Sequence, residues 1–471
     1  MTTRLPDPPI PASTTEAARW KHTRQRRRLL SGLWEQDLLD VAQEQLGRVR
    51  RSAWGRLDMS AMPFRNICAQ LAVLYDGGVT IGNDQPGDFS AFATRLAASG
   101  LWASAPHFQT MVIGCREGAR AIDVKPDGSF LFRDVSADTV VAYADPNDPG
   151  RPLRWEEARL RQHPTSATPV WTWDCFDITD ASAPYYRIKL DEGGKPGEDL
   201  TDAHLGEWGA EYRWRWADGS PFIPRVLYHA RRLGDRLWDP YEGRELVEGS
   251  LNVALELSLL LHSVFDASWP ARMAVNLEIL SAGIEDGRVS VISDPSIVHQ
   301  WAVRDPEAGQ SFFHQFAPAI DVDALHQVVL DTMHRLAVDA GIPSSDIQRL
   351  AVGTARSGAA ISLTNAGKRA QQRKYQVHFR PADEELVSKA AAMANRFAGA
   401  NLPETGWSVV YPEIPLSGEE QRARREDTLE LVARGLLHPA EAYRRLNPGT
   451  TRAQAEQALR DIAAARLTLN I

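Results

Sequence analysis

Residues 321–400 constrain this chain more than any other stretch, because they force two helices with a break between them. Over 321–340 the apolar residues Val322, Leu325, Val329, Met333, Leu336 and Ala340 recur at steps of three and four. That spacing predicts a helix with one apolar stripe. Asp323, Gln327, Asp331 and His334 fall on the opposite face. Gly341 ends the helix, and Ile342-Pro343 bars its continuation, since the residue before a proline is pushed out of the helical region. Gly353-Thr354-Ala355-Arg356-Ser357-Gly358-Ala359-Ala360 follows, and then a run of helix formers reaching Phe379 and beyond. Pro381 interrupts or kinks this second helix, and residues 383–398 resume it.

A second helix-forming segment lies upstream, at 246–268. It is apolar nearly all round and must pack on several sides. Between it and the 321–340 helix, residues 273–280, 288–292, 297–303 and 312–316 read as short strands separated by Gly, Asp and Pro turns. The two helices share a charge bias. Across 247–268 and 321–341, Arg335 is the only Lys or Arg, against Glu248, Glu256, Asp266, Asp321, Asp323, Asp331 and Asp339. By contrast Arg356, Lys368, Arg369, Arg373 and Lys374 make a basic cluster beside the glycine break.

Ahead of these elements the pattern is mixed. Residues 1–12 carry four prolines and no periodicity, the pattern of a disordered start. Ser13-x-x-Glu16 is a capping box that opens a helix through the basic run Arg24–Arg28, which reads first as a solvated face and only second as a nucleic-acid contact. A further helical pattern covers 33–51, and another 89–98. From His107 the period shortens, and 108–115, 121–124, 129–135, 139–143, 170–178, 185–190, 212–216 and 222–229 read as strands. Lys125-Pro126-Asp127-Gly128 is a turn between two of them. Trp171/Trp173 and Trp214/Trp216 each place two indoles on one strand face, which suits core packing better than base stacking. Residues 407–411 form one more strand, and three helices close the chain.

The motifs of catalysis are missing. The glycines of 353–358 have the spacing of a phosphate loop, but Ala359 and Ala360 stand where Lys and Ser/Thr are required. No G-x-S-x-G or H-E-x-x-H occurs. His326 and His334 lie two turns apart, a spacing that suits solvated or packed histidines before a metal. Cys68, Cys115 and Cys175 are too few and too scattered for a metal site or a disulfide framework, and they indicate a reducing compartment. A formal charge of −8 argues against a protein that grips DNA, since that affinity comes from Lys and Arg neutralising phosphates. With no signal peptide and no apolar run long enough to span a bilayer, the chain reads as soluble, made in the cytoplasm, with no cofactor, no metal and no membrane.

The collinear order of these features resembles the tailed-bacteriophage portal proteins. Ile342-Pro343 matches the Ile-Pro step that ends a stem helix in that family. Ser357-Gly358-Ala359-Ala360 matches the Ser-Gly-x-Ala signature of its tunnel loop. Gly435-Leu436-Leu437-His438-Pro439 approximates its Gly-Leu-hydrophobic-Ser-x turn, with His438-Pro439 in place of the usual Ser. The resemblance implies an α+β portal fold with a mixed wing, a two-helix stem, a small β-rich clip, a long kinked helix and a helical crown. The corresponding segments are an N-terminal arm (1–50), wing (51–242), first stem helix (243–268), clip (269–319), second stem helix (320–341), tunnel loop (342–358), long helix and returning strand (359–416) and crown (417–471).

The function implied is a non-enzymatic structural subunit of the virion. In that family twelve copies form a ring at one capsid vertex, through which double-stranded DNA enters and leaves without sequence recognition. Partners implied are major capsid or scaffold protein, the large terminase, and then head–tail connector proteins. Under this reading Glu248, Glu256, Asp323 and Asp331 line the channel, and Gly353, Thr354, Arg356, Ser357 and Gly358 form the loop at the lumen. Lys368, Arg369, Arg373 and Lys374 meet DNA or the neighbouring subunit. Trp301, Arg304, Phe312 and Phe313 of the clip receive partners. Two other readings are a minor capsid or connector protein, which would lack the helix–β–helix order, and a soluble bacterial enzyme, which would need a pocket with convergent polar groups.

Overall fold

A computed structural model describes residues 9, 14–46, 57–58, 62–124, 129–166, 168–206, 211–231, 233, 236–239, 243–268, 271–275, 277–279, 284–285, 288–289, 301–303, 312–316, 321–342, 358–414, 418–447 and 452–469. The expected turn at 125–128 lies outside them. The fold is α+β, and the chain divides into two compact units. One comprises Met1–Ala17, Ala69–Asp239 and Ile342–Ile471, the other Ala18–Cys68 and Pro240–Gly341.

The chain opens with helices α1 (Thr14–Ser31), α2 (Glu35–Leu46) and α3 (Pro63–Leu71), strand β1 (Thr80–Asn83), and helices α4 (Ser90–Ala98) and α5 (Leu101–Cys115). Strands β2 (Glu117–Val124), β3 (Phe130–Ser136), β4 (Val140–Ala144), β5 (Pro152–Gln162), β6 (Pro169–Asp177), β7 (Tyr185–Asp191) and β8 (Pro196–Asp199) follow. After α6 (Thr201–Leu205) and β9 (Arg225–His229) comes the long helix α7 (Arg244–Ser268). Short strands β10 (Ala271–Val275), β11 (Leu277–Ile279), β12 (Ile284–Glu285), β13 (Arg288–Val289), β14 (Trp301–Val303) and β15 (Phe312–Phe316) lead to α8 (Val322–Asp339). The remainder is α9 (Gly358–Ala398), β16 (Trp407–Val410), α10 (Gly418–Ala433), α11 (Pro439–Leu446) and α12 (Arg452–Leu469).

The first unit is built on two antiparallel sheets, β4-β5-β6-β7-β8 and β3-β2-β9, with β1 pairing separately with β16. Trp155, Phe176, Val135, Val140 and Ile223 fill the core where the two larger sheets meet. Trp173 is buried with its indole N–H donating to Asp191 at 2.7 Å, and Trp214 packs edge-on against Phe176 and Tyr186, so these indoles are core residues. The second half of α9 covers β2, β9 and β16. Its buried residues Tyr375, Phe379, Ala382, Leu386, Ala390 and Met393 recur at steps of three and four.

Polar groups also hold this unit together. Asp383 of α9 is fully buried and accepts three tyrosine hydroxyls: Tyr75 at 2.8 Å, Tyr228 of β9 at 2.8 Å and Tyr411 at 2.5 Å. A second cluster links the sheets. Glu157 of β5 and Asp174 of β6 stand directly opposite each other, a like-charge pair that would repel if left alone. Arg225 of β9 donates to Glu157 at 2.8 Å and stacks on Phe176, Arg133 of β3 bonds the other Glu157 oxygen, and Arg161 reaches Asp174 at 2.7 Å.

Four sequence readings are corrected here. Residues 108–115 are the end of helix α5. Their buried positions Leu101, Ala105, Phe108, Val112 and Cys115 have helical spacing, visible only when the window opens at Leu101. Strand β5 was not expected, because its residues Trp155-Glu156-Glu157-Ala158-Arg159-Leu160-Arg161 are mostly charged or helix-forming. Residues 212–216 form only an isolated bridge, Arg215 with Pro221. Helix α9, finally, runs unbroken through Pro381. Val377, whose carbonyl Pro381 leaves without its donor, is exposed, as is Pro381 itself, so the gap in the ladder lies on the outer side of the helix and not in the core.

Candidate functional site

In the second unit α7 and α8 pack against each other antiparallel. Gly249, early in α7, meets Leu336 near the end of α8, and Glu256 meets Thr332. Asp321 caps α8 by accepting the Ala324 N–H at 2.9 Å, and Gly341 ends it at a φ of +85°, a left-handed backbone that glycine adopts without strain. Asp321, expected as part of an acidic face, is therefore the cap of its own helix.

The apolar stripe read from the sequence is only partly buried. Val329 and Ala337 are buried, and Leu336 packs on Gly249, but Val322 and Leu325 are exposed. So are Val328 (53%), Leu330 and Val338 on α8, and Leu259, Leu261 (54%) and Val264 on α7. A helix pair with this much apolar surface open to water is unusual for a subunit that works alone.

The four carboxylates expected to line a channel are not equivalent. Glu248, Asp323 and Asp331 are exposed, with Asp331 accepting the Gln327 amide at 2.7 Å. Glu256 is half-buried against α8, and one of its oxygens is buried without a partner. Burial pushes its carboxyl above the ordinary value, while the Thr332 hydroxyl and Arg335 pull the other way. His326 is exposed and His334 half-buried.

The basic residues of α9 also separate. Arg369 is buried, at 8% exposure, and Lys368 is half-buried. Arg373 is exposed and pairs with Glu413 at 3.3 Å within the same chain. Lys374 is exposed, its ammonium 5.8 Å from the Tyr375 ring centre. Gly358 is the first residue of α9, whereas Gly353, Thr354, Arg356 and Ser357 lie outside the described residues. Trp301 begins β14, pairing with Ile279, and Phe312 and Phe313 pair with Val275 and Ala274 across β15 and β10. Arg304 lies outside the described residues.

Sequence reasoning missed two adjoining clefts in the first unit, of about 800 and about 500 Å³, which share Arg151, Pro152 and Glu385 as common wall. Their walls come from the β4–β5 turn, from Ile178, from residues between 216 and 236, from α9 and from residues 401–405, segments too far apart in the chain for any local pattern to connect them. Among the described residues no helix is long and apolar enough to cross a membrane.

No protein-family model matches the chain, and no curated protein matches it. Among solved structures it is similar to a chain in the virion of the native gene transfer agent particle, with a TM-score of 0.45 and 11% identity over 90% of this chain and 100% of that one. It is also similar to a chain in the neck of the native particle (TM-score 0.41, 12% identity, 88% of this chain and 95% of that one). A third likeness is to a chain in the neck of the empty particle (TM-score 0.42, 11% identity, 86% of this chain and 94% of that one).

Proposed function

We propose that this chain is a portal subunit: a non-enzymatic structural protein of a phage-like virion that assembles into a ring around a DNA channel. The observation that carries this reading is the α7–α8 pair. It joins two long helices through an excursion of short strands, and it presents carboxylates and apolar side chains together on its outer surface. A lone subunit gains nothing from that combination. Copies repeated around an axis bury the apolar residues between neighbours, and each exposed carboxylate becomes a ring of negative charge. DNA carries about one negative charge per 1.7 Å of axis, so an acidic wall keeps it centred and lets it slide.

Glu248, Asp323 and Asp331 are the carboxylates free to line such a channel, and Glu256 serves the contact between the two helices. Among the described basic residues, Lys374 is the most open to a neighbour or to phosphates, since Lys368 is half-buried, Arg369 is buried and Arg373 is already paired. The 353–358 loop is assigned to the lumen, and Trp301, Arg304, Phe312 and Phe313 to the surface that receives the terminase during packaging and connector proteins afterwards. The ring is taken to be a dodecamer, with capsid or scaffold protein around the wing.

Native mass spectrometry with negative-stain averaging tests the reading. The expected result is a large closed ring with an axial hole. A chain that stays monomeric alone and with capsid and connector proteins, or a compact small oligomer that binds a metabolite, overturns it.

A further inference from the structure

The outer surface of the α7–α8 pair combines two opposed features. Val328 and Val338 are exposed on α8, and Leu261 and Val264 on α7, an apolar set that gains from being covered. Charge works the other way. Among the described residues of 247–264 and 321–341 the carboxylates Glu248, Asp321, Asp323, Asp331 and Asp339 are exposed, against a single cation, Arg335. Arg244 and Glu245, both exposed at the start of α7, cancel in net charge. The apolar and acidic features share the same turns of helix and cannot be presented separately. Val328, Asp331, Arg335 and Val338 recur at steps of three, four and three, so they form one exposed stripe on α8. A face that brings Val328 and Val338 to a neighbour also brings Asp331.

Given the ring reading above, on which this rests, we infer that closure of the ring is gated by ionic strength: at low salt the α7–α8 carboxylates hold copies apart, and screening lets their apolar faces meet. Rotation about one axis sets each carboxylate near its own counterparts on the two flanking copies, whether it faces the lumen or the neighbour. Each copy adds five exposed carboxylates for one exposed arginine, so the repulsion grows as the ring fills. Between exposed charges it reaches over about 30 Å at 0.01 M salt and about 8 Å at 0.15 M. The opposite arrangement, a cationic face of one copy against the acidic face of the next, finds little support in the basic run of α1. Arg26 is buried, Arg28 is paired with Asp37 at 2.6 Å, and Arg24 and Arg27 are half-buried. The acidic wall that lets DNA slide is then also what keeps subunits dispersed until salt screens it.

The test is sedimentation velocity of the purified full chain, with negative-stain images of each species, at about pH 8, where exposed histidines are neutral. Sodium chloride is raised from about 10 mM to about 1 M, over which the screening length falls from about 30 Å to about 3 Å. The subunit concentration at which half the chains are in rings is expected to fall by about tenfold or more across that range. Glu248→Gln combined with Asp323→Asn and Asp331→Asn is expected to form rings already at the low end and to shift by less than about threefold. All three side chains are exposed, so the fold of the subunit is spared. The two curves should converge at high salt, which separates screening from a strengthening of apolar contact by salt, since that would move both alike. Rings that loosen as salt rises, a variant that follows the wild-type curve, or closure by millimolar magnesium that sodium chloride of equal ionic strength does not reproduce overturns the inference. Closed rings at every salt concentration overturn it too and leave the ring reading standing. No ring at any salt, alone or with capsid and connector proteins, is the separate result that overturns the ring reading itself.

Discussion

The buried polar clusters of the first unit and the α7–α8 pair of the second handle their awkward groups in opposite ways. Asp383 and the Glu157–Asp174 pair are charges taken out of water, and each is answered inside the same chain, by three hydroxyls in one case and by a set of arginines in the other. The helix pair leaves Leu261, Val328 and Val338 exposed, and among the described residues none covers them. The contrast separates what folding one subunit requires from what assembly requires. A buried charge cannot wait for a partner, because an unpaired one would prevent folding. An exposed leucine can wait, because its exposure costs little until copies meet.

The contrast is broken most forcibly at Asp383. Asp383→Ala leaves three tyrosine hydroxyls with no acceptor in a dry site. A loss of about 3–5 kcal/mol is expected, read as a large fall in the urea midpoint. Tyr411→Phe removes only one of the three bonds and is expected to cost about 1–2 kcal/mol. Equal effects from the two would show that the cluster does not act through Asp383.

Glu157 sharpens the same side through pH. Arg225 and Arg133 outweigh its burial and hold its carboxyl down to about 2, below the ordinary value of 4.5. A depressed folded pKa contributes stability that is present above the unfolded pKa and is lost as pH falls through the folded one. Asp383 has the other sign. Burial holds its carboxyl above the ordinary value, so its share is present in acid and is lost as pH rises through the folded pKa. Acid unfolding of the wild type is therefore expected to include a limb between about pH 4.5 and 2, worth about 3 kcal/mol at most. Glu157→Gln is expected to remove that limb and leave a flatter curve. An unchanged acid limb would mean that other carboxylates carry it.

How much of this was legible in the sequence follows from how local each feature is. The α7–strands–α8 order was, because helix stripes, Gly341 and Ile342-Pro343 are signals within a few residues of one another. Strand β5 was not. Its inward Glu157, Arg159 and Arg161 look like solvent-facing charges until the arginines and carboxylates of β3, β6 and β9 are brought beside them. The Asp383 cluster draws on residues 75, 228, 383 and 411, which no window spans. The exposed residues of α8 were misassigned for a related reason. Periodicity gives the stripe, but not how much of the stripe one partner helix covers.

The helix contact itself is probed more gently at Gly249. A Cβ placed there would lie 2.3 Å from Leu336 Cδ2, so the leucine must swing aside in Gly249→Ala. Overpacking of this kind costs about 1–3 kcal/mol, and replacing a helical glycine with alanine returns about 1 kcal/mol. The net loss expected is about 1 kcal/mol. Combining the change with Leu336→Ala gives the side chain its room, so the double variant should be less destabilised than the two single changes added together. Strict additivity would place Leu336 elsewhere.

The smallest effect on folding should come with the largest effect on assembly. Leu261 and Val328 are more than half exposed, on α7 and α8 respectively. Removing an exposed apolar side chain takes little from the subunit, so Leu261→Ser with Val328→Ser should move its unfolding free energy by no more than about 0.5 kcal/mol. In a ring each copy would lose the same apolar contact at every interface, and the loss is multiplied around the axis. Native mass spectrometry of the double variant should therefore show subunits and fragments of rings under conditions that give closed rings from the wild type. Rings that form as before would place the subunit interface away from this pair of faces. A fall in stability comparable to that of the Gly249 variant would mean that these side chains already have partners within the chain, and the division between what folds the subunit and what assembles it would then fail at the residues that define it.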